Sequence, residues 1–493
     1  MCKQNSLNSK ILTSYKVPSN IEFINELLKK EVANNKHKII VLDDDPTGVQ
    51  TVHDISVYTN WDYDSIYQGF AEKNKIFYIL TNSRAFTEEQ TIKVHQEIAR
   101  NIIKVAKEQQ KSYIIVNRSD STLRGHYPLE NKVLKNVIEF EDDISIDGEI
   151  LCPYFKEGGR FTINNIHYVK YDGELIPVGQ TEFARDKTFG YKSSDLRCYI
   201  EEKTKGEYKA NDVVVISLEE LRDQNFNQIT KKLLFAKNFT KIIVNAIDAC
   251  DLKIFVIALY RAINQGKNFT FRTAAGLVKE LAGISDKALL TRKDLITEDN
   301  GHGGIVIVGS HTTKTTKQLE LLKDIKELEF IEFNSDLVLD EEAFNIEVKR
   351  VINLEEKMIA LGKTVVVYTK RKLLTLKDDT KEKALIRSVK ISSAVQSLVG
   401  NLSIVPTFVV AKGGITSSDI GTKALNVKKA FVLGQIQPGI PVWQTDNGSK
   451  FKKIPYIIFP GNVGDIDTLR KVVLIIFSFN DNFEPSYITE VNP

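Results

Sequence analysis

The segment Ile39-Ile-Val-Leu-Asp-Asp-Asp-Pro-Thr-Gly48 constrains the fold of this chain more than any other stretch. Four consecutive apolar residues bounded by turn formers read as a strand buried on both faces, the kind found in parallel sheets. The three carboxylates then fall at the carboxyl end of that strand, where open α/β sheets place their ligands. One capping Asp or Thr would suffice to start a helix. Two further adjacent carboxylates repel each other and call for a cationic or hydroxyl-rich partner.

The pattern recurs along the chain. Ile76–Leu80, Tyr113–Val116, Val213–Ile216 and Ile242–Val244 read as strands, and Glu88–Lys107 as an amphipathic helix with Val94, Ile98, Ile102 and Val105 on one side. Such alternation predicts an α/β protein with helices flanking parallel strands. Ile21, Phe23, Ile24, Leu27 and Leu28 give a helical lead-in, whereas residues 141–190, rich in Gly, Asp and aromatics, predict hairpins or long loops. After Gly301-His-Gly-Gly304 a second βα series begins. Its expected strands are Ile305–Val308, Phe330–Phe333, Val365–Tyr368, Phe408–Ala411, Ala430–Leu433 and Tyr456–Phe459, with helices at Thr313–Ile325, Asp340–Leu361 and Lys381–Val399. A chain of 493 residues exceeds what one core usually organises. The expected architecture is therefore a lead-in over 1–37 and two domains, 38–299 and 300–493. Each would be a mostly parallel sheet flanked by helices, with a cleft between them.

A net charge of +3, with basic residues scattered, argues against nucleic acid and anionic lipid as partners. Four widely spaced cysteines, Cys2, Cys152, Cys198 and Cys250, suggest neither a zinc site nor a disulfide framework. No segment reaches 18 apolar residues, and the polar N-terminus lacks a signal-like apolar region. A cytoplasmic, membrane-free protein is the expectation.

Each strand end carries chemistry. The carboxylates of Asp43, Asp44 and Asp45 could orient and deprotonate hydroxyls, and Thr47 and Gly48 could present backbone N–H groups. Arg84, in Thr81-Asn-Ser-Arg84, suits a carboxylate or else neutralises the Asp cluster. Asn117-Arg-Ser-Asp-Ser-Thr-Leu-Arg-Gly125 is too polar for a plain turn and reads as a hydrogen-bonding cradle. Gly309-Ser-His-Thr-Thr-Lys314, Lys412-Gly-Gly-Ile-Thr416 and Gly461-Asn-Val-Gly464 each follow a strand with small or hydroxylated residues. Any one could be a turn; three in one βα series point to phosphate, although neither a Walker A nor a Gly-x-Gly-x-x-Gly pattern is present.

Taken in order, these motifs resemble those of the four-carbon acid sugar kinases. The carrying residues are Asp44-Asp-Pro-Thr-Gly48, Thr81-Asn-Ser-Arg84 and Asp120-Ser-Thr-Leu-Arg-Gly125, then Glu157-Gly-Gly-Arg160 and Thr181-Glu-Phe183. On the nucleotide side stand Gly309-Ser310, Gly413-Gly-Ile-Thr416, Gly434–Pro441 and Gly461-Asn-Val-Gly464. The resemblance spans residues 38–476. It implies a sugar-acid site in the first domain and an ATP site in the second, with ATP and Mg²⁺ as cofactors. The reaction implied is phosphorylation of a hydroxyl, terminal in a tetronate or 3-oxo-tetronate. The implied catalytic residues are Asp45, Asp120 and Arg124, with Asp45 as base. Asp44, Thr47, Arg84, Ser121 and Thr122 would bind the sugar acid, and Ser310, Gly413, Gly414, Ile415, Thr416 and Gly461 would bind ATP. Metal ligands are left open, and a homo-oligomer is allowed.

The chain departs from the family pattern at Asp43, Pro46, Val49-Gln-Thr51 and Asn117-Arg118, and at Ile415, where an acid is common. Two other readings stand beside the kinase. Asp43-x-Asp45-x-Thr47 after an apolar strand also fits a haloacid-dehalogenase-type phosphatase, with Asp43 as nucleophile and Asp45 as acid/base. Ile415 leaves room for a non-catalytic regulator that binds sugar acid and ATP.

Overall fold

The computed structural model describes residues 5–372, 374–376, 379–461 and 463–477. They form two compact units: the chain up to Lys287 together with Val427–Val432, and Ala288–Asn426 together with the chain from Leu433 onward. This is an α/β protein built on mostly parallel strands.

In the first unit the strand order is Val214–Ile216, Thr240–Val244, Gly148–Cys152, Phe269–Thr273, Tyr113–Arg118, Lys38–Asp43, Ile76–Leu80 and Ile55–Tyr58, all parallel. Residues 429–432 complete it, antiparallel to Ile55–Tyr58. Lys38–Asp43 lies in the interior of this order, and all six of its residues are buried, as its apolar run requires. The helices Glu88–Gln109 and Leu129–Glu141 pack against each other, as do Ile21–Asn34 and Ala249–Ile263. A separate antiparallel sheet orders Leu7–Asn8, Glu174–Pro177, Ile166–Tyr171 and Arg160–Ile163.

The expectation of only hairpins or loops over 141–190 needs correction. The hairpins are present, but Gly148–Cys152 is an interior parallel strand. Its Glu149 conceals the pattern: it is buried, yet paired with Lys241 at 2.7 Å and bonded by Tyr127 and Asn131. Ile55–Tyr58, Phe269–Thr273, Ile440–Thr445 and the helix Ala249–Ile263 were likewise not anticipated.

In the second unit Pro455–Phe459, Val409–Lys412, Ile305–Val308, Thr364–Thr369 and Leu328–Phe333 form a parallel series. Ile440–Thr445 runs antiparallel to Pro455–Phe459, and Lys429–Gln437 neighbours it. Val306, Val308, Val366, Val410 and Ile457 pack with Leu319, Leu469 and Val473 to make the core. Among the described residues no helix is long and apolar enough to cross a membrane. Cys152, Cys198 and Cys250 are free thiols, and Cys2 lies outside the described residues.

Strand register decides what comes together. Asp43 lies level with Leu80 and Arg118, and Asn117 with Arg272. The loops beginning at Asp44, Thr81 and Ser119 therefore leave one sheet edge side by side. In the second unit Val308 lies level with Tyr368 and Lys412, and Lys412 with Phe459, which gathers the loops from Gly309, Gly413 and Pro460.

Candidate functional site

In the first unit the three Asp residues take three different environments. Asp43 is 2 % exposed, paired with Arg118 Nη1 at 3.2 Å, and lies directly beneath Gly48. A Cβ at Gly48 would fall 1.9 Å from the Asp43 carboxylate, so glycine is required there. Burial, only partly opposed by Arg118, pushes the Asp43 acid up to about 8. Asp44 is buried and accepts from Arg84 Nη2 at 3.0 Å and from the Asp120 backbone N–H at 3.2 Å. Burial raises its pKa against the pull of Arg84 and Arg118. Asp45 pairs with Arg84 Nη2 at 2.8 Å and accepts from the Thr47 N–H and hydroxyl at 2.8 and 2.5 Å. Burial opposes its charge, but Arg84 and the Thr47 hydroxyl outweigh it and hold the Asp45 pKa low.

Asp120 is the hub of its own loop. Its Oδ2 accepts from the Thr122 hydroxyl, from Arg124 Nε at 2.8 Å and from the Arg124 N–H at 3.4 Å, while Arg84 Nη1 lies 3.9 Å from Oδ1. Burial works against its ionisation, yet Arg124 and Arg84 hold its carboxyl far below the usual range. Leu123 sits at φ 69° and Gly125 at φ 116°, backbone that lets so short a loop fold back on itself. Buried tyrosines brace it: Tyr199 donates to the Leu123 carbonyl at 2.9 Å, and Tyr191 to that of Thr122. The Ser121 carbonyl accepts from His167 Nε2 at 2.8 Å. Burial lowers His167 to about 4, so the ring is neutral.

Asp44, Asp45, Thr47, Arg84, Asp120, Ser121, Thr122 and Arg124 thus belong to one neighbourhood. Three basic or aromatic members of it were not assigned from sequence. Arg272, buried on Phe269–Thr273, donates through Nη2 to the Arg124 carbonyl at 2.8 Å. Arg160 and Arg124 both lie over the Phe183 ring, 5.5 and 5.0 Å from its centroid. Arg160 and Phe183 did stand within recognised motifs, but nothing in their spacing said that they meet.

In the second unit the loops interlock. A Cβ at Gly309 would fall 2.3 Å from Thr416 Oγ1, and one at Gly413, whose φ is 129°, would fall 3.1 Å from the same atom. Lys412 is fully buried and donates through Nζ to the Pro460 carbonyl at 2.7 Å and the Gly461 carbonyl at 3.3 Å. Ser310, Thr312 and Thr315 join hydroxyls at 2.9 to 3.4 Å, and Thr312 caps the helix Thr313–Glu320. Arg371, also unassigned from sequence, donates to the Ser310 carbonyl. Open space lies over Gly414 and Gly461, and Ile415 is 73 % exposed. Ser310, Gly413, Gly414, Thr416 and Gly461 are therefore brought together around backbone that an incoming group can approach. Asn462 lies outside the described residues. Gly434–Pro441 spans the tight connection between Lys429–Gln437 and Ile440–Thr445, where the Gly439 N–H bonds Gln435 at 2.6 Å.

Among the described residues no group of three or more His, Cys, Asp or Glu side chains is arranged to hold a metal ion.

Comparison with known proteins adds to this geometry. Residues 39–281 match the model of a sugar-binding N-terminal domain, and residues 305–469 that of a nucleotide-binding C-terminal domain. Among solved structures the chain is similar to Haemophilus influenzae protein HI1011, at 16 % identity and a TM-score of 0.60, covering 89 % of this chain and 100 % of that one. It is also similar to a Salmonella typhimurium LT2 protein described as a tRNA synthase, at 14 % identity and a TM-score of 0.61, covering 88 % and 98 %. At such identities these likenesses speak for the fold alone. No significant match was found among curated proteins.

Proposed function

Because the chain belongs to the four-carbon acid sugar kinase family, with its sugar-binding N-terminal and nucleotide-binding C-terminal domains, we propose that it transfers the γ-phosphoryl group of ATP to a hydroxyl of a four-carbon sugar acid. The favoured acceptor is the terminal hydroxyl of a tetronate or 3-oxo-tetronate. In this reading the sugar acid binds within residues 38–299 and ATP, entering as its Mg²⁺ complex, within 300–493. The observation that carries it is the closed Asp120–Thr122–Arg124 turn beside Asp44, Asp45 and Arg84, in the domain matched as sugar-binding.

Phosphoryl transfer asks a protein chiefly for positioning and charge neutralisation. Asp45 is the proposed base, because its side chain is 22 % exposed against 4 % for Asp44 and 12 % for Asp120. Held ionised by Arg84, it accepts the hydroxyl's hydrogen bond and aims the oxygen. Asp44 and Asp120 position neighbouring hydroxyls, and Arg124 meets charge developing on the transferred group. On the nucleotide side Ser310, the backbone of Gly413–Thr416 and Gly461 hold the phosphates. The reading requires the two substrates to meet during turnover, with water kept from the γ-phosphate.

The phosphatase alternative loses support from Asp43, whose carboxylate is buried under Gly48 and paired with Arg118 rather than presented as a nucleophile. The test is an ADP-release screen over four-carbon sugar acids with Mg²⁺, the position of phosphorylation being read by NMR. Binding of ATP without ADP production over the whole panel would instead favour the regulator. Asp120→Asn and Arg124→Ala should each lower kcat/KM for the sugar acid by ~10²-fold, as loss of a positioned polar contact does. Wild-type rates in either variant would remove that residue from the site. Gly309→Ala should displace Thr416 and raise KM for ATP about tenfold, equivalent to ~1.4 kcal/mol, leaving KM for the sugar acid unchanged; steady-state kinetics in each substrate separate the two.

A further inference from the structure

One guanidinium holds both ends of the turn that carries Asp45. Residues 44–49 lie between Asp43, the last residue of the strand Lys38–Asp43, and Gln50. Arg118, which ends the neighbouring strand Tyr113–Arg118, donates through Nη1 to Asp43 Oδ1 at 3.2 Å and reaches Gln50 Oε1 through Nη2 at 3.5 Å. All three side chains are buried, which leaves them almost no surface with which to touch a substrate. They also stand outside the motifs that carry the family resemblance.

Asp43 works on the inside of the same turn. Its Oδ1 accepts from the Asp45 N–H at 3.3 Å, and its carboxyl group fills the space beneath Gly48, whose own N–H donates to the Asp45 carbonyl at 3.0 Å. Neutralising Arg118 would not require this arrangement. The buried Asp44 lies 3.6 Å from the same guanidinium and could balance its charge. Burial favours the uncharged acid at Asp43, and Asp44 and Asp45 push the same way against Arg118. What Asp43 contributes is therefore chiefly shape and a hydrogen-bond acceptor, set where the backbone of the proposed base begins.

Resting on the kinase reading, we propose that Asp43 and Arg118 are positioning residues for phosphoryl transfer: Arg118 ties together the two ends of the 44–49 turn, and Asp43 fixes the backbone of Asp45, so that the Asp45 carboxylate is aimed at the acceptor hydroxyl. Without them the base stays in the site but out of line, a fault that slows the chemical step more than it weakens binding.

The experiment uses the full chain and measures kcat and KM for ATP and for the four-carbon sugar acid that the wild type phosphorylates. Asp43→Ala should lower kcat on the order of 10²-fold, the cost of a reacting group displaced by about 1 Å. KM for either substrate should stay within about threefold, because the remaining contacts still bind. Asp43→Asn keeps the shape and the acceptor and should bring kcat back to within about threefold of wild type. Arg118→Lys supplies charge without a fork that spans two acceptors and should cost about tenfold in kcat. The double variant Asp43→Ala/Arg118→Lys should lose little more than Asp43→Ala alone, as members of one unit do. Thermal melts check that each variant is folded; should Asp43→Ala unfold, Asp43→Asn and Arg118→Lys decide. If the wild type releases no ADP with any four-carbon acid, the kinase reading fails and the positioning role with it. The positioning role alone is overturned if the wild type is active and Arg118→Lys keeps full kcat, or Asp43→Asn is as slow as expected of Asp43→Ala. A rise in KM as large as the fall in kcat, or a double variant that loses the product of the two single losses, overturns it equally.

Discussion

Arg84→Met is expected to abolish the proposed sugar-acid phosphorylation, to below about one part in 10³ of the wild-type kcat/KM, and to lower unfolding free energy by about 3–5 kcal/mol. The size follows from geometry. One guanidinium bonds Asp44 at 3.0 Å and Asp45 at 2.8 Å and approaches Asp120 at 3.9 Å. Taking it away leaves the buried Asp44 and the partly buried Asp45 and Asp120 facing one another across a hydrophobic replacement. The pH dependence carries a sign. Asp45 and Asp120 are held below their unfolded values, against burial, with Arg84 among the causes. Their stabilising contribution is complete above the unfolded carboxylate pKa of ~4 and is lost as pH falls below it. Without Arg84 that contribution shrinks, so the variant's stability depends less steeply on pH below ~4. Urea titrations at pH 7, 4 and 3 read both effects; near-wild-type stability at pH 7 would refute the assignment.

Lys412→Met should weaken the proposed ATP binding more than any other single change in the second unit, raising KM for ATP by roughly 10- to 100-fold as two carbonyls lose their donor. The Lys412 ammonium underpins the carbonyls of Pro460 and Gly461 and lies 4.0 Å from the Phe459 ring centroid. Burial first, and then the charge of Lys314, bring its pKa down to about 7. Between about 7 and the unfolded value of ~10.4 the unfolded chain holds a proton that the folded chain has released. Stability from this group therefore rises with pH across that window, by at most ~1.4 kcal/mol per pH unit, and is lost as pH falls towards 7. The methionine variant should lack that slope. Melts at pH 7, 8.5 and 9.5, with ATP kinetics at each, check it; equal slopes in both proteins would exclude the lysine as the source.

What could be read from the sequence was what is local. Ile39–Leu42 and Ile305–Val308 announce themselves as strands because every residue is apolar, and the polar loops after them carry their chemistry in short contiguous motifs. Gly148–Cys152 and Phe269–Thr273 hide because Glu149, Thr270 and Arg272 interrupt their apolar runs with buried polar residues, and Lys241 and Arg124, which bond Glu149 and Arg272, lie far away in the chain. Ala249–Ile263 hides for the opposite reason. It is buried almost all round, so no apolar stripe stands out against a polar face. The motif residues Asp44, Asp45, Arg84 and Asp120 form one cluster because strand register aligns three strand ends. Arg160 and Lys412 owe their character to neighbours brought from elsewhere in the chain, Phe183 for the one and Phe459, Pro460 and Gly461 for the other, which spacing alone does not encode.

The membership of Val427–Val432 in the first unit has a further consequence. The polypeptide leaves that unit after Lys287, returns for six residues, and departs again. A fragment ending at Lys287 would lack the antiparallel partner of Ile55–Tyr58, a strand with all four residues buried, and would bare its outer amides as a sticky border. The two halves are thus not interchangeable cassettes, and recombination at a single crossover would sever the sugar-side half from a piece of itself.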